Sequence, residues 1–350
     1  MKNRCMIRYW MCVWALLLTG LAPVVHAEAD MPLSTVRLVP AWELSGPLVM
    51  VWPESLSGGR RMIPSTLALI QALPGDVEVA LASQRPPRVS WLEEIGRDIR
   101  YLPLTTVRSR EVGEWAGFAA ATPEGRLFSM RFQLPSRDLR SRDRSDRRDD
   151  YEASRQLGML LYGKTREDIP VRMERLHLTH NGRGVALVSN RIIADNETLS
   201  LTELRTRLQD AAGLDTIVFV PVPASEPEGF IDGVLRFVGP RQLLVSEPLP
   251  GNEASRAQQA DLLRVLEQEL DEEIQVVRVP RPSHQPDDNR QPSYLNGIQI
   301  GNLLLCPQYG APEDEPVLTL LRRQLPDLEI QPINGDDLSS FRLNRVSLWR

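Results

Sequence analysis

The stretch FIDGVLRFVGPRQLLVSEPLPGNEASRAQQADLLRVLEQELDEEIQVVRVP, residues 230 to 280, carries the pattern that decides the fold. Phe230 to Val238 alternates as a strand, Gly239-Pro240 turns the chain, and Leu243-Leu244-Val245 returns it. From Ala254 to Leu270 the apolar residues Ala260, Leu263, Val265, Leu266 and Leu270 fall at helical spacing, and Ile274 to Val279 is a closing strand before Pro280. The unit is therefore strand, turn, strand, helix, strand.

The same order recurs on both sides. Upstream it runs Met173 to Thr179, a turn at Asn181-Gly182, Val185 to Val188, a helix opened by the capping box Ser200 and Glu203, and Ile217 to Val220 before Pro221. Downstream it runs Tyr294 to Ile300, Gly301-Asn302, Leu303 to Leu305, a helix from Val317 to Leu325, and Leu328 to Gln331 before Pro332. Two weaker copies precede these. One has Leu48 to Trp52, a helix from Ser65 to Leu73, Val77 to Leu81, and Ile99 to Leu102 before Pro103. The other has Trp115 to Ala120, Leu127 to Phe132, a helix from Tyr151 to Leu161 and a close near Pro170. Repeats of this length stack or close radially, because one unit cannot bury its own faces. Five such units favour a closed α/β ring over an open solenoid, and an ordinary doubly wound sheet is the alternative on periodicity alone.

The run from Ser136 to Asp150, SRDLRSRDRSDRRDD, interrupts the second unit with alternating Arg and Asp. Its charges nearly cancel, and it reads as a solvated mobile loop rather than a binding patch.

Composition bounds the partners. A chain of 350 residues, 42% hydrophobic, with a net charge of −5 and a pI near 5.6, is globular and has no basic stripe for nucleic acid. Lys2, Arg4 and Arg8, the apolar run from Trp10 to Val25, and the small-x-small site Val25-His26-Ala27 read as an export signal. Residues 1–27 are thus a signal peptide and 28–350 one domain, exported to the periplasm or medium. An uncleaved anchor is the competing reading, though the run falls short of the ~20 residues a span needs, and nothing later in the chain is apolar enough to span. Cleavage removes Cys5 and Cys12 and leaves Cys306 alone, so no disulfide forms within the mature chain.

Several strings match one family. Ala41-Trp42-Glu43 followed by Val51-Trp52-Pro53 resembles the AEWE…WP opening of agmatine deiminases and bacterial peptidyl-arginine deiminases. Pro292-Ser293-Tyr294-Leu295-Asn296, followed by Cys306-Pro307-Gln308-Tyr309-Gly310, resembles their PxSYxN…PxFG segment. The resemblance covers about Pro40 to Ser347 in the right order. It implies the pentein fold, a five-bladed α/β propeller of ββαβ units with pseudo-five-fold symmetry. It also implies C–N hydrolysis of a guanidinium, by a cysteine thiolate, a histidine proton shuttle and carboxylates that grip the guanidinium nitrogens.

Carried over by position, the resemblance finds that machinery dismantled. The RDxGP segment falls on Arg110-Glu111-Val112-Gly113-Glu114, which puts Glu111 at the aspartate position. The EGG segment reads Glu174-Arg175-Leu176. GHxD falls on Gly229-Phe230-Ile231-Asp232, keeping Asp232 but placing Phe230 at the histidine position. The terminal GGGxHC falls on Ser340 to Arg345, with Asn344 and Arg345 at the histidine and cysteine positions. Neither phenylalanine nor arginine performs the lost step.

Cys306 ends an apolar strand and reads as a buried small hydrophobe; His177, His180 and His284 have the spacing of neither a metal site nor a triad, so no metal or cofactor is implied. Trp52, Trp115 and Phe230 line either a ligand pocket or blade cores, with Glu174 a further pocket candidate. The expectation is a non-catalytic binding or scaffolding protein whose Arg345 pairs with Asp232 or Glu111. A pocket that still binds a guanidino or cationic small molecule or peptide is also open. The alternative is a hydrolase that activates water with Glu111 or Asp232.

Overall fold

A computed structural model describes residues 36–135, 141–222, 229–248, 253–283 and 292–335; the side chains of 141–144 and of Asp168 are outside it. The signal segment, His284, Asn344 and Arg345 lie outside the described residues. The strand order resolves into five small sheets.

In chain order, β1 (Arg37–Leu38) leads into β2 (Leu48–Val51), α1 (Ile63–Ala72), β3 (Val79–Ser83), α2 (Val89–Ile95) and β4 (Ile99–Pro103). Strands β2, β3 and β4 form one sheet, and every pairing in it is parallel. As read from the sequence, a helix, α1, joins its first two strands, so this unit lacks the tight turn of the others. Next come α3 (Val112–Trp115), β5 (Phe118–Ala121), β6 (Leu127–Gln133), α4 (Ser141–Tyr162) and β7 (Thr165–Arg172). Here β5 and β6 are an antiparallel hairpin, β6 and β7 are parallel, and β1 adds to the edge of β5.

The third unit is β8 (Leu178–His180), β9 (Val185–Ser189), α5 (Arg191–Asp195), α6 (Leu201–Ala212) and β10 (Thr216–Val220). Its turn is built by the Asn181 Oδ1, which accepts from the Arg183 and Val185 amides at 2.8 and 3.0 Å, with Gly182 at φ 70°. The capping box is present: Ser200 Oγ accepts from the Glu203 amide at 3.2 Å, and the Glu203 carboxylate accepts from the Ser200 amide at 2.8 Å. Units four and five are β11 (Leu235–Gly239), β12 (Gln242–Ser246), α7 (Glu253–Glu269) and β13 (Gln275–Val279), then β14 (Ile298–Ile300), β15 (Leu303–Gln308), α8 (Asp314–Gln324) and β16 (Glu329–Asn334). All three later sheets repeat one antiparallel and one parallel pairing.

Three expectations are corrected. Strands β10 and β13 end at Val220 and Val279, directly before Pro221 and Pro280 as expected, and β4 ends on Pro103 itself; β16 instead runs on through Pro332, on an edge strand where a missing N–H breaks no ladder. The strand expected from Phe230 begins at Leu235, because the Ile231 carbonyl accepts from both the Val234 and Leu235 amides and holds a turn. The Arg/Asp run is a helix from Ser141 onward.

The cores are shared between sheets. Leu48, Met50 and Leu81 pack with Ile298, Ile300 and Leu305; Leu244 and Val277 pack with Leu304 and Cys306; Leu187 and Val218 pack with Phe237 and Leu243. The first sheet also shares a core with α3 and α4, through Val49, Ala80, Trp115, Ala153 and Leu157. Asn196 joins the second unit to the third by both accepting from and donating to the Arg172 backbone at 2.8 Å. Among the described residues no helix is long and apolar enough to cross a membrane.

Candidate functional site

Helix α4 builds one wall of a cavity of about 220 Å³. The helix lies close on β6 and β7 because position 158 is glycine: a Cβ there would meet Thr165 Oγ1 at 2.4 Å and Ser129 Cβ at 2.5 Å. Its buried face is Asp150, Ala153, Ser154 and Leu157, spaced as one helical stripe. Asp150 pins the helix to the loop before α3, accepting from the Arg108 and Ser109 amides at 2.6 and 3.0 Å. Burial, with smaller contributions from Glu114 and Asp146, pushes its carboxyl up to about 7.

One turn earlier, Arg147 reaches into the cavity. Its Nη2 lies 2.5 Å from Glu174 Oε1 and 3.6 Å from Glu114 Oε1. The Glu174 side chain is only 5% exposed, so this ion pair is shielded from water on its acidic side. Trp115 and Phe118 supply apolar wall, and the Trp115 indole donates to the Ser109 carbonyl at 3.3 Å. Arg131, almost fully buried, closes the floor: it pairs with Glu167 at 2.8 Å and lies 3.7 Å over the Tyr151 ring.

Arg175 lines this cavity and a second one of about 110 Å³. The second holds Asp232, Arg236, Thr179 and His180. Arg236 donates through Nη1 to the Leu295 carbonyl at 2.9 Å and to the Gly297 carbonyl. Burial pulls both the Arg175 and Arg236 guanidinia down to about 10, with Asp232 opposing the shift. Burial, then the charges of Arg175 and Arg37, drives the His180 imidazole down to about 3, so it is neutral.

The positions singled out in the sequence separate on this map. Glu174 and Trp115 line the first cavity and Asp232 the second, whereas Glu111 lines neither and Glu114 takes the place expected of it. Trp52 and Phe230 are core rather than cavity. Trp52 is 1% exposed and packs at 6.3 Å from Trp91; Phe230, equally buried, lies 4.9 Å from the His177 ring. His177 is fully buried, and its Nδ1 accepts from the Glu174 amide at 3.2 Å. The pairing expected of Arg345 lies outside the described residues; within them, the guanidinia beside Asp232 are Arg175 and Arg236.

Cys306 is buried in β15, contacts the Pro307 carbonyl and the Gln308 amide at 3.8 Å, and is pushed up to about 12 by burial. It is a thiol at neutral pH, as expected of a core residue. Among the described residues no cluster of His, Cys, Asp or Glu is placed to hold a metal ion.

Sequence reasoning missed Arg147, Glu114, Asp150, Arg175 and Arg236 as site residues. The departure from EGG marked position 175, but nothing local marked the others.

The fold is that of the pentein deiminases. The C. jejuni agmatine deiminase superposes with a TM-score of 0.74 at 17% identity, over 87% of this chain and 92% of that one. The agmatine deiminase of Enterococcus faecalis gives 0.70 at 14%, over 88% and 93%. Residues 114–341 match the Porphyromonas-type peptidyl-arginine deiminase family, and the chain belongs to that family.

Proposed function

We propose that this chain is an exported, non-catalytic member of the deiminase family that binds rather than turns over its ligand, on a frame whose five sheets we read as the blades of a closed propeller. The observation that carries the reading is Cys306: the one cysteine among the described residues is a protonated core thiol with no imidazole beside it. Deimination needs a thiolate and a proton shuttle that act as a unit, and losing one costs several powers of ten in rate. At the histidine position Phe230 packs on His177, and at the cysteine position the sequence has Arg345.

A second feature supports binding without turnover. Glu174 and Glu114, the carboxylates of the larger cavity, already hold the guanidinium of Arg147. The chain thus offers its own side chain to the acids that a guanidino ligand would need.

Incubating the purified mature protein with agmatine or an arginine-containing peptide is expected to release no ammonia above a heat-inactivated control. Release above that control overturns the reading and favours water activation by Glu111 or Asp232. Arg147→Ala is expected to bring saturable agmatine binding, at least about tenfold tighter than wild type, still without turnover. Calorimetric titration checks the first part; equal agmatine affinity in both proteins contradicts competition by Arg147. Export is tested separately: the protein recovered outside the cytoplasm is expected to begin near Glu28, and retention of residues 1–27 contradicts cleavage.

A further inference from the structure

Position 175 is the second residue of the segment that reads EGG in the resembling deiminases, and here it carries a guanidinium. That group lines both cavities, 5.8 Å from the centroid of the Phe118 ring. Arg236, on the next unit's first strand, faces the same space with its Nη1 committed to two backbone carbonyls.

Asp232 is the only carboxylate among the described residues lining the smaller cavity, and His180 there is neutral. Two guanidinia against one carboxylate leave the space net positive. Thr179 adds a hydroxyl, whose oxygen accepts from the Phe237 amide at 3.2 Å and whose proton is then free to donate.

We propose that the cavity between Arg175 and Arg236 is a binding site for a small oxyanion, a carboxylate or phosphate group, gripped by the Arg175 guanidinium. A planar fork of five donors matches an oxyanion and repels a second guanidinium. At about 110 Å³ the cavity is half the volume of the first, which suits it to a small anionic group.

Net charge selects the sign of the ligand. Both guanidinia, although pulled down to about 10 by burial, remain cationic at neutral pH. This inference goes beyond the non-catalytic reading and stands on Arg175 and Arg236 whether or not ammonia is released.

The test is calorimetric and thermal titration of the purified mature protein at pH 7 and constant ionic strength. The titrants are sodium phosphate, sodium acetate, sodium chloride as control, and agmatine. A saturable rise in Tm with phosphate or acetate is expected, and the stronger of the two identifies the source of the oxyanion; chloride and agmatine are expected to give none.

Arg175→Gln is expected to weaken the oxyanion by about tenfold or more, while Arg61→Gln, on the surface, leaves it unchanged. If Arg175→Gln fails to fold by circular dichroism, Arg175→Lys keeps the charge but loses the fork, and is expected to bind more weakly than wild type. The wild-type comparison of anions with agmatine decides in either case. No saturable response to either oxyanion, an equal response in a folded Arg175→Gln, or a stronger response to agmatine each overturns the proposal.

Discussion

Phe230→Ala is expected to lower the free energy of unfolding by about 3–5 kcal/mol, the usual cost of deleting a buried aromatic ring. Phe230 is 1% exposed, and its ring lies 4.9 Å from that of His177 at a tilt of 54°. It follows Gly229, whose φ of 74° belongs to the left-handed region and whose position leaves no room for a Cβ against the Arg191 side chain. The backbone that delivers the ring is therefore fixed from behind, and the site cannot collapse freely onto the void.

Phe230→His is the instructive companion. An imidazole there keeps part of the ring contact but buries a polar group beside a His177 whose Nδ1 already accepts from the Glu174 amide. A loss of about 1–3 kcal/mol is expected for a buried polar group without a full set of partners, and no ammonia release is expected to accompany it. Urea unfolding of the three proteins measures both effects; a loss below about 1 kcal/mol for the alanine variant would contradict the packing role.

That position shows how much of the molecule was legible in the sequence. Units with strong local signals were read correctly: the Asn181-Gly182 turn and the Ser200–Glu203 capping box need only residues within one turn of each other. Helix α4 was read from Tyr151 onward, but its first ten residues were hidden because they are alternating Arg and Asp with no apolar stripe, so a charged helical turn passed for a loop. What identifies Asp150 as a core position is the pair of amides at Arg108 and Ser109 that it meets only after folding.

The site divides along the same line. Motif comparison found Glu174 and Asp232, since their carboxylates survive in recognisable strings. It did not find the cations that answer them, because Arg147 meets Glu174 and Glu114 across helix α4, and Arg236 meets Asp232 from the following strand. Pattern carries the motif strings. Only packing reveals that the remaining acids are matched by the chain's own arginines.

Asp150 makes the second large effect, and its sign follows from burial. Its carboxyl is held at about 7 rather than the ordinary 3.8, chiefly by desolvation, although two backbone amides favour the ionised form. Folding therefore favours the protonated acid. The stability this group contributes is fully present below about pH 4 and is lost as pH rises through 7.

The gap between 3.8 and about 7 corresponds to about 4 kcal/mol once the group is ionised in both states. Its surroundings offer little relief. Arg108 is turned to Asp149 at 2.8 Å and Arg147 to Glu174, while Glu114 and Asp146 add like charge. Asp150→Asn keeps an oxygen to accept from the Arg108 and Ser109 amides and removes the ionisation. The variant is expected to match wild type within about 1 kcal/mol near pH 4 and to exceed it by a few kcal/mol at pH 8 to 9, with its advantage growing mainly between pH 5 and 8.

Urea titrations of both proteins across that range give the difference directly, and titrations elsewhere in the chain cancel in the comparison. A wild-type protein more stable than the variant at pH 8 would mean that the two amides outweigh burial and that Asp150 is ionised at neutral pH.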